Sequence, residues 1–253
     1  ISVLSGHLGG ANELSNEIAE KIGSTPVITT AADVNKTIAV DLVGKEFGWK
    51  IDDDSNVTRI SAFMVNKEKI GIFQNIGKKE WWKGKFPENI TFFSNIEDLK
   101  SSESKGYLII TNDQIDDENI LKNSVVYRVP DLVVGIGLHW DTSKETILNG
   151  VNETLKKFEL KQKQIARFVS IKKEKDVIGL IELGKEMNIP IEYIDREELA
   201  TITAPNPSET VQAFEGTASV SEAAAIKSSK GELIVEKQKF PPNLTVAIAR
   251  IIQ

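Results

Sequence analysis

The sequence predicts an α/β protein made of two or three small α/β domains with mainly parallel sheets, the N-terminal one truncated. Three observations carry that expectation. Short apolar runs rich in Val and Ile alternate with segments whose apolar residues recur every three to four positions, the strand and helix periods. Gly, Pro, Asn and Ser punctuate the joins, as turns between such elements require. The chain has 253 residues, 40% of them hydrophobic, and a chain of that size buries roughly 70–75% of its unfolded surface without a disulfide or metal staple.

The elements follow in order. In residues 1–55, Ile1-Ser2-Val3-Leu4 reads as a strand and Ser5-Gly6-His7-Leu8-Gly9-Gly10 as a glycine-rich turn. Leu14, Ile18 and Ile22, four apart, mark one face of the helix that follows. Pro26-Val27-Ile28-Thr29-Thr30 is a second strand, and Ile38, Leu42 and Phe47 suggest a helix ending near Gly48. Because the chain opens inside an apparent strand, this domain is expected to begin upstream of Ile1. Asp52-Asp53-Asp54-Ser55-Asn56 is a polar break. Residues 56–130 read as a second small α/β unit, with a helical pattern around Ile60, Phe63 and Met64. Strands follow at 69–73, 90–93, 107–111 and 125–129, with polar loops at 101–106 and 112–119.

Val129-Pro130-Asp131 is the boundary to a C-terminal α/β domain, residues 131–253. Leu132-Val133-Val134-Gly135-Ile136-Gly137 is a buried strand with a glycine exit. Thr142 and Ser143 can cap a helix that runs through Ile147, Val151 and Leu155. Strands at 166–171 and 190–194 flank a helix at 177–187, and a short helical turn spans 195–199. An alanine-rich helix at 219–227 and strands at 233–237 and 244–250 close the chain.

Composition bounds the chemistry. The net charge of −6 argues against general nucleic-acid binding, which needs a basic surface. The chain has no cysteine, which excludes a disulfide scaffold, cysteine–zinc sites, iron–sulfur ligation and a thiol nucleophile, and agrees with a cytoplasmic protein. The two histidines alone offer too few ligands for a transition-metal site, and none is expected. No apolar run approaches the roughly 20 residues of a membrane span, so no membrane partner is expected.

Several constellations can carry chemistry. A strand, a glycine-rich turn and a helix start are the parts of an anion cradle, because glycines admit a ligand to the backbone and the first helical N–H groups point at it. In the turn Ser5-Gly6-His7-Leu8-Gly9-Gly10-Ala11, His7 can act as a general base on a water, and the N–H groups around Gly9 and Gly10 can hold an oxyanion. Asn12 and Glu13 can orient the substrate or the imidazole. A tight strand–helix turn whose histidine caps a carbonyl fits the pattern equally well. Gly135 and Gly137 form another anion-friendly edge ahead of Thr142 and Ser143, but Trp140 stands where a dinucleotide fingerprint needs a third glycine, so a plain turn is the simpler reading. His139 reads as a surface residue. Pro205-Asn206-Pro207-Ser208 is a rigid exposed turn, either structural or a ligand wall, and Ser208 can cap the next helix. Ser219 and Glu222 have capping-box spacing, and the helix start they define can take a carboxylate. Lys237, Lys239 and Arg250 are a local basic group that can receive carboxylates or simply be solvated. Finally, Lys78-Lys79-Glu80-Trp81-Trp82-Lys83-Gly84-Lys85-Phe86 interleaves basic and aromatic residues. Single-strand nucleic-acid grooves do so too, but a loop that packs its tryptophans on a partner fits as well.

Taken together, the segments resemble the cobalamin-biosynthesis protein G family, the cobalt-precorrin-5A hydrolases. The carrying runs are Leu4 to Leu14, Pro26 to Asn35, Gly135-Ile136-Gly137, Pro205-Asn206-Pro207-Ser208, Ser219-Val220-Ser221-Glu222-Ala223-Ala224 and Thr245-Val246-Ala247-Ile248-Ala249-Arg250, in the family's order along nearly the whole chain. The resemblance implies an N-terminal domain that begins upstream of Ile1, a variable middle domain and a C-terminal domain. It implies opening of the ring A acetate δ-lactone of a cobalt-precorrin tetrapyrrole, with loss of the meso carbon and its methyl as acetaldehyde to give cobalt-precorrin-5B. Cobalt then arrives inside the substrate, and no cofactor of the protein's own is implied. The resemblance itself assigns no catalytic base; from the residues, His7 is expected as the base or the group that orients the water, with Glu13 as its partner. Ser5, Gly6, Gly9, Gly10, Asn12, Gly135, Gly137, Thr142, Ser143, Asn206, Ser208, Ser219, Glu222, Lys237 and Lys239 are the expected substrate contacts. Leu138-His139-Trp140-Asp141 departs from the family, which continues with Cys and basic residues there. That departure motivates an alternative, a non-catalytic tetrapyrrole-binding homologue. No nucleic-acid partner is implied, and a homo-oligomer is allowed.

Overall fold

The computed structural model describes residues 11–26 and 37–252, the side chains from Leu14 onward. The strand expected at 1–4, the turn at 5–10 and most of the second expected strand lie outside the described residues. The chain divides into two units, Ile1–Val129 and Pro130–Gln253, each of which contains one five-stranded sheet.

In the first unit, helix α1 (Ala11–Ile22) leaves Leu14, Ile18 and Ile22 exposed. The helix expected over Ile38, Leu42 and Phe47 does not form; two 3₁₀ turns, Val40–Leu42 and Lys45–Phe47, take its place. Gly44 is the reason. It is left-handed (φ 67°), and a Cβ there would lie 2.0 Å from Trp49 Cε3, so the indole packs directly on the backbone and the helix cannot run through. The segment still contributes to the core, through Ile38, Val40, Val43 and Trp49, while Leu42 and Phe47 stay half-buried.

That core covers one face of a sheet built from β1 (Lys50–Ile51), β2 (Ile70–Gln74), β3 (Ile90–Phe93), β4 (Gly106–Ile110) and β5 (Ser124–Arg128). The order is β1-β5-β4-β2-β3, parallel except for β1, which pairs antiparallel with β5. Side chains alternate across it. Ile70, Ile72, Leu108, Ile110 and Tyr127 meet Ile60 and Met64 of α2 (Val57–Val65). Phe73, Tyr107, Ile109 and Val126 meet Leu99 of α3 (Ile96–Ser101) and Ile120 of α4 (Glu118–Lys122). The start of α4 occupies the end of the polar loop expected at 112–119; Asp117 caps it by accepting from the N–H groups of Asn119 and Ile120.

The second unit is organised by β6 (Leu132–Leu138), which is apolar on both faces, as a central strand must be. Leu132, Val134, Ile136 and Leu138 point to one core, with Ile147, Val151 and Leu155 of α5 (Lys144–Lys157) and Leu180 and Leu183 of α6 (Ile178–Met187). Val133 points to the other core, with Val220, Ala223 and Ala224 of α9 (Val220–Ser229). The remaining elements are β7 (Ile165–Ile171), β8 (Ile191–Ile194), α7 (Arg196–Ala200), α8 (Glu209–Glu215), β9 (Glu232–Phe240) and β10 (Leu244–Arg250). The order is β8-β7-β6-β10-β9, parallel on the β7 side of β6 and antiparallel on the β10 side. Ser143 caps α5 as expected, its Oγ accepting from Thr146 N at 3.2 Å.

Candidate functional site

The change of strand direction at β6 positions a cavity. Open α/β sheets place ligands outside the carboxyl ends of parallel strands where the order reverses. A cavity of about 500 Å³ lies there in the second unit. Its wall comes from the ends of β6 and β7 (Gly137, Ile171 and the following Lys173), the start of α9 (Ser219, Val220), one side of α8 and the β9–β10 turn.

Of the expected contacts, Gly137, Ser208, Ser219, Lys237 and Lys239 line this cavity. Asn206 and Glu222 adjoin it through Lys237. Glu222 is fully buried, and its carboxylate accepts from Asn206 N (3.1 Å), Asn206 Nδ2 (2.8 Å) and Lys237 N (3.1 Å). The Lys237 ammonium in turn donates to the Asn206 carbonyl. A buried carboxylate is tolerated only when compensated in this way. Thr142 and Ser143 are outside the lining; Thr142 Oγ1 donates to the His139 carbonyl at 2.9 Å, and Ser143 is the α5 cap. Ser5, Gly6, His7, Gly9 and Gly10 lie outside the described residues, as do the side chains of Asn12 and Glu13.

Two sequence readings are corrected. The expected capping box is open: helix α9 does begin after Ser219, but Ser219 makes no side-chain cap bond and Glu222 is turned to Asn206 and β9. The Ser219 side chain is 1% exposed, and its Oγ has no hydrogen-bond partner among the described residues. The glycine exit is not an exit either. Gly135 and Gly137 lie inside β6, where a Cβ on Gly135 would come within 1.9 Å of the Ser221 carbonyl oxygen, so Gly135 admits α9 against the strand.

The electrostatics of the cavity are cationic with local compensation. Lys173 pairs with Glu215 at 2.6 Å, and Arg196 reaches the same carboxylate at 3.6 Å. Burial lowers the pKa of Lys237; the Glu222 carboxylate opposes this and the Lys239 ammonium adds to it. Lys239 has no acceptor among the described residues and stands as an uncommitted charge on the wall. His139, at the cavity edge, bonds Asp141 through Nδ1 at 2.5 Å, and that bond lowers the Asp141 pKa. The arrangement can bind an anion beside an apolar rim made by Phe214 and Phe240.

Sequence reasoning missed Lys173, Glu215 and Phe214. Lys173 had a usable signal, since it lies just past the carboxyl end of the strand beside β6. Phe214, 76% exposed on a short helix, had none. The basic–aromatic run around Trp81 is not a base-stacking platform. Trp81 is 8% exposed, its ring meets Phe86 edge-on at 5.6 Å, and its Nε1 donates to Gln74 Oε1 at 2.9 Å. Among the described residues no group of His, Cys, Asp and Glu side chains forms a metal-ligand set, and no helix is long and apolar enough to cross a membrane. A second hollow of about 510 Å³, in the first unit, brings none of the expected site residues together.

Comparisons with known proteins fit this layout. Three family models match in succession: cobalamin synthesis G N-terminal over residues 1–33, cobalamin biosynthesis central region over 38–128, and cobalamin synthesis G C-terminus over 132–249. The chain is 38% identical to a cobalt-precorrin-5A hydrolase of Priestia megaterium over 99% of its own length and 68% of that protein's. It is 28% identical to a cobalt-precorrin-5A hydrolase of Salmonella typhimurium, over 93% and 67%. A crystal structure of CobE, a protein from the cobalamin biosynthetic pathway, matches with a TM-score of 0.47 at 23% identity, over 48% of this chain and 94% of that one. The C-terminal match spans the strand, helix and hairpin that wall the cavity, and with the other two it accounts for nearly every residue: the chain belongs to the cobalamin synthesis G family.

Proposed function

We propose that the chain is a cobalt-precorrin-5A hydrolase. It opens the ring A acetate δ-lactone of the cobalt-precorrin, and the meso carbon with its methyl leaves as acetaldehyde, giving cobalt-precorrin-5B. The observation that carries this is the 38% identity, over 99% of the chain, to a hydrolase of that name. Support also comes from the cavity, which presents an uncommitted lysine and an unpartnered buried hydroxyl in a protein of net charge −6, as a substrate rich in carboxylates requires.

The reaction needs a water nucleophile, a base and donors for the oxyanion. His7 is our candidate base, with Glu13 its partner and the N–H groups of Gly9 and Gly10 the donors. Cobalt is part of the substrate on this reading, and no resident cofactor takes part. We place the reaction in the cytoplasm. Incubation of the full chain with cobalt-precorrin-5A, with trapping of volatile aldehyde, tests the proposal. Acetaldehyde appears if it is right; substrate that binds and is recovered intact identifies the chain as a tetrapyrrole binder instead.

A further inference from the structure

The open capping box at α9 points to a ligand. A Ser-x-x-Glu start can satisfy two of a helix's free N–H groups from within the chain, yet here neither side chain does so. Glu222 is committed to Asn206 and Lys237, which leaves Ser219 Oγ buried and unpartnered on the cavity wall, beside the first N–H groups of a ten-residue helix. Among the described residues every lysine and arginine at this cavity except one is spoken for: Lys173 and Arg196 by Glu215, Lys237 by the Asn206 carbonyl and Glu222. The exception is Lys239.

We propose that this end of the cavity receives one carboxylate arm of the tetrapyrrole, whose oxygens accept from Ser219 Oγ and the first N–H groups of α9, with Lys239 as counter-charge. Glu222 is a positioning residue: it holds the 205–208 turn and β9 in place and thereby keeps the Ser219 hydroxyl free for the ligand. Phe214 and Phe240 give the apolar macrocycle that carries the arm a surface to rest on. The inference rests on the reading of the substrate as a cobalt-precorrin, and it adds which residues grip the substrate and by which group.

Titration of the full chain with uroporphyrin, a tetrapyrrole with acetate and propionate arms and no lactone, and with its fully methylated ester tests the site. The acid binds and the ester does not. Ser219→Ala and Lys239→Ala each raise the dissociation constant roughly tenfold, the loss of one charge-assisted hydrogen bond. Lys239 is exposed on its strand, so its variant covers the case in which Ser219→Ala fails to fold. Equal binding of the acid by the parent and both variants, or equal binding of acid and ester, overturns the site. The site and the reaction fail separately. Ser219-dependent binding without acetaldehyde release from cobalt-precorrin-5A keeps the site and removes the reaction. Acetaldehyde release at an unchanged KM in Ser219→Ala keeps the reaction and removes the site.

Discussion

Ser219 and Glu222 show how one residue pair can trade stability for a binding surface. A buried hydroxyl without a partner costs about 1–3 kcal/mol, and Ser219 is such a hydroxyl. Where a serine does cap a helix, alanine costs about 1 kcal/mol. We therefore predict that Ser219→Ala leaves the unfolding free energy unchanged or raises it, as read by urea denaturation; a loss of about 1 kcal/mol or more would mean that the hydroxyl caps α9 after all. Glu222→Ala should behave oppositely, with a drop on the order of 2–4 kcal/mol, because three donors lose an ionised acceptor. An unchanged melting curve would contradict the network. His7→Ala, if His7 is the base, should lower kcat by about 10²–10⁴-fold while the fold is kept. The spacing of Ser219 and Glu222 made the helix start legible in the sequence. Their lack of reciprocal bonding was not legible, because the competing partners of Glu222 lie 15 and 16 residues away in the chain and local spacing carries no record of them.

At the scale of elements, β6 and α9 are fitted to one another. The small residues of α9 and the two glycines of β6 let helix and sheet approach until a Ser221 carbonyl occupies the space of a side chain at Gly135. Because that obstacle is backbone, Gly135→Ala should cost about 1–3 kcal/mol or more, and thermal unfolding of the variant measures it. The expected exit turn and this packing role both call for glycine, so residue type alone did not separate them. Strands with period-two or continuous apolar runs, such as 132–137 and 244–250, were legible because burial on a sheet imposes that pattern. The segment around Ile38, Leu42 and Phe47 shows the limit: of these three only Ile38 is buried, Leu42 and Phe47 are half-buried, and Gly44 and Trp49 turn the backbone away from a helix so that Val40 and Val43 enter the core instead. Helix α3 and much of α4 escaped notice because one or two turns display no period. Their side-chain caps, Asn95 and Asp117, were the available signal.

For the whole molecule, the order of motifs along the chain carried more than any motif alone. The sequence placed Ser208, Ser219, Lys237 and Lys239 in one functional group although they belong to three elements, the starts of α8 and α9 and the strand β9, and the fold of the second unit brings them to one cavity. Lys173 and Glu215 join them there by tertiary packing, which has no counterpart in linear spacing. Conversion of a cobalt-precorrin lactone, as opposed to carriage of it, is decided by quantifying acetaldehyde against the cobalt-precorrin-5A consumed by the full chain. Equimolar release is expected, with cobalt-precorrin-5B as the remaining product; saturable substrate binding with no acetaldehyde at any protein concentration would rule out a hydrolase.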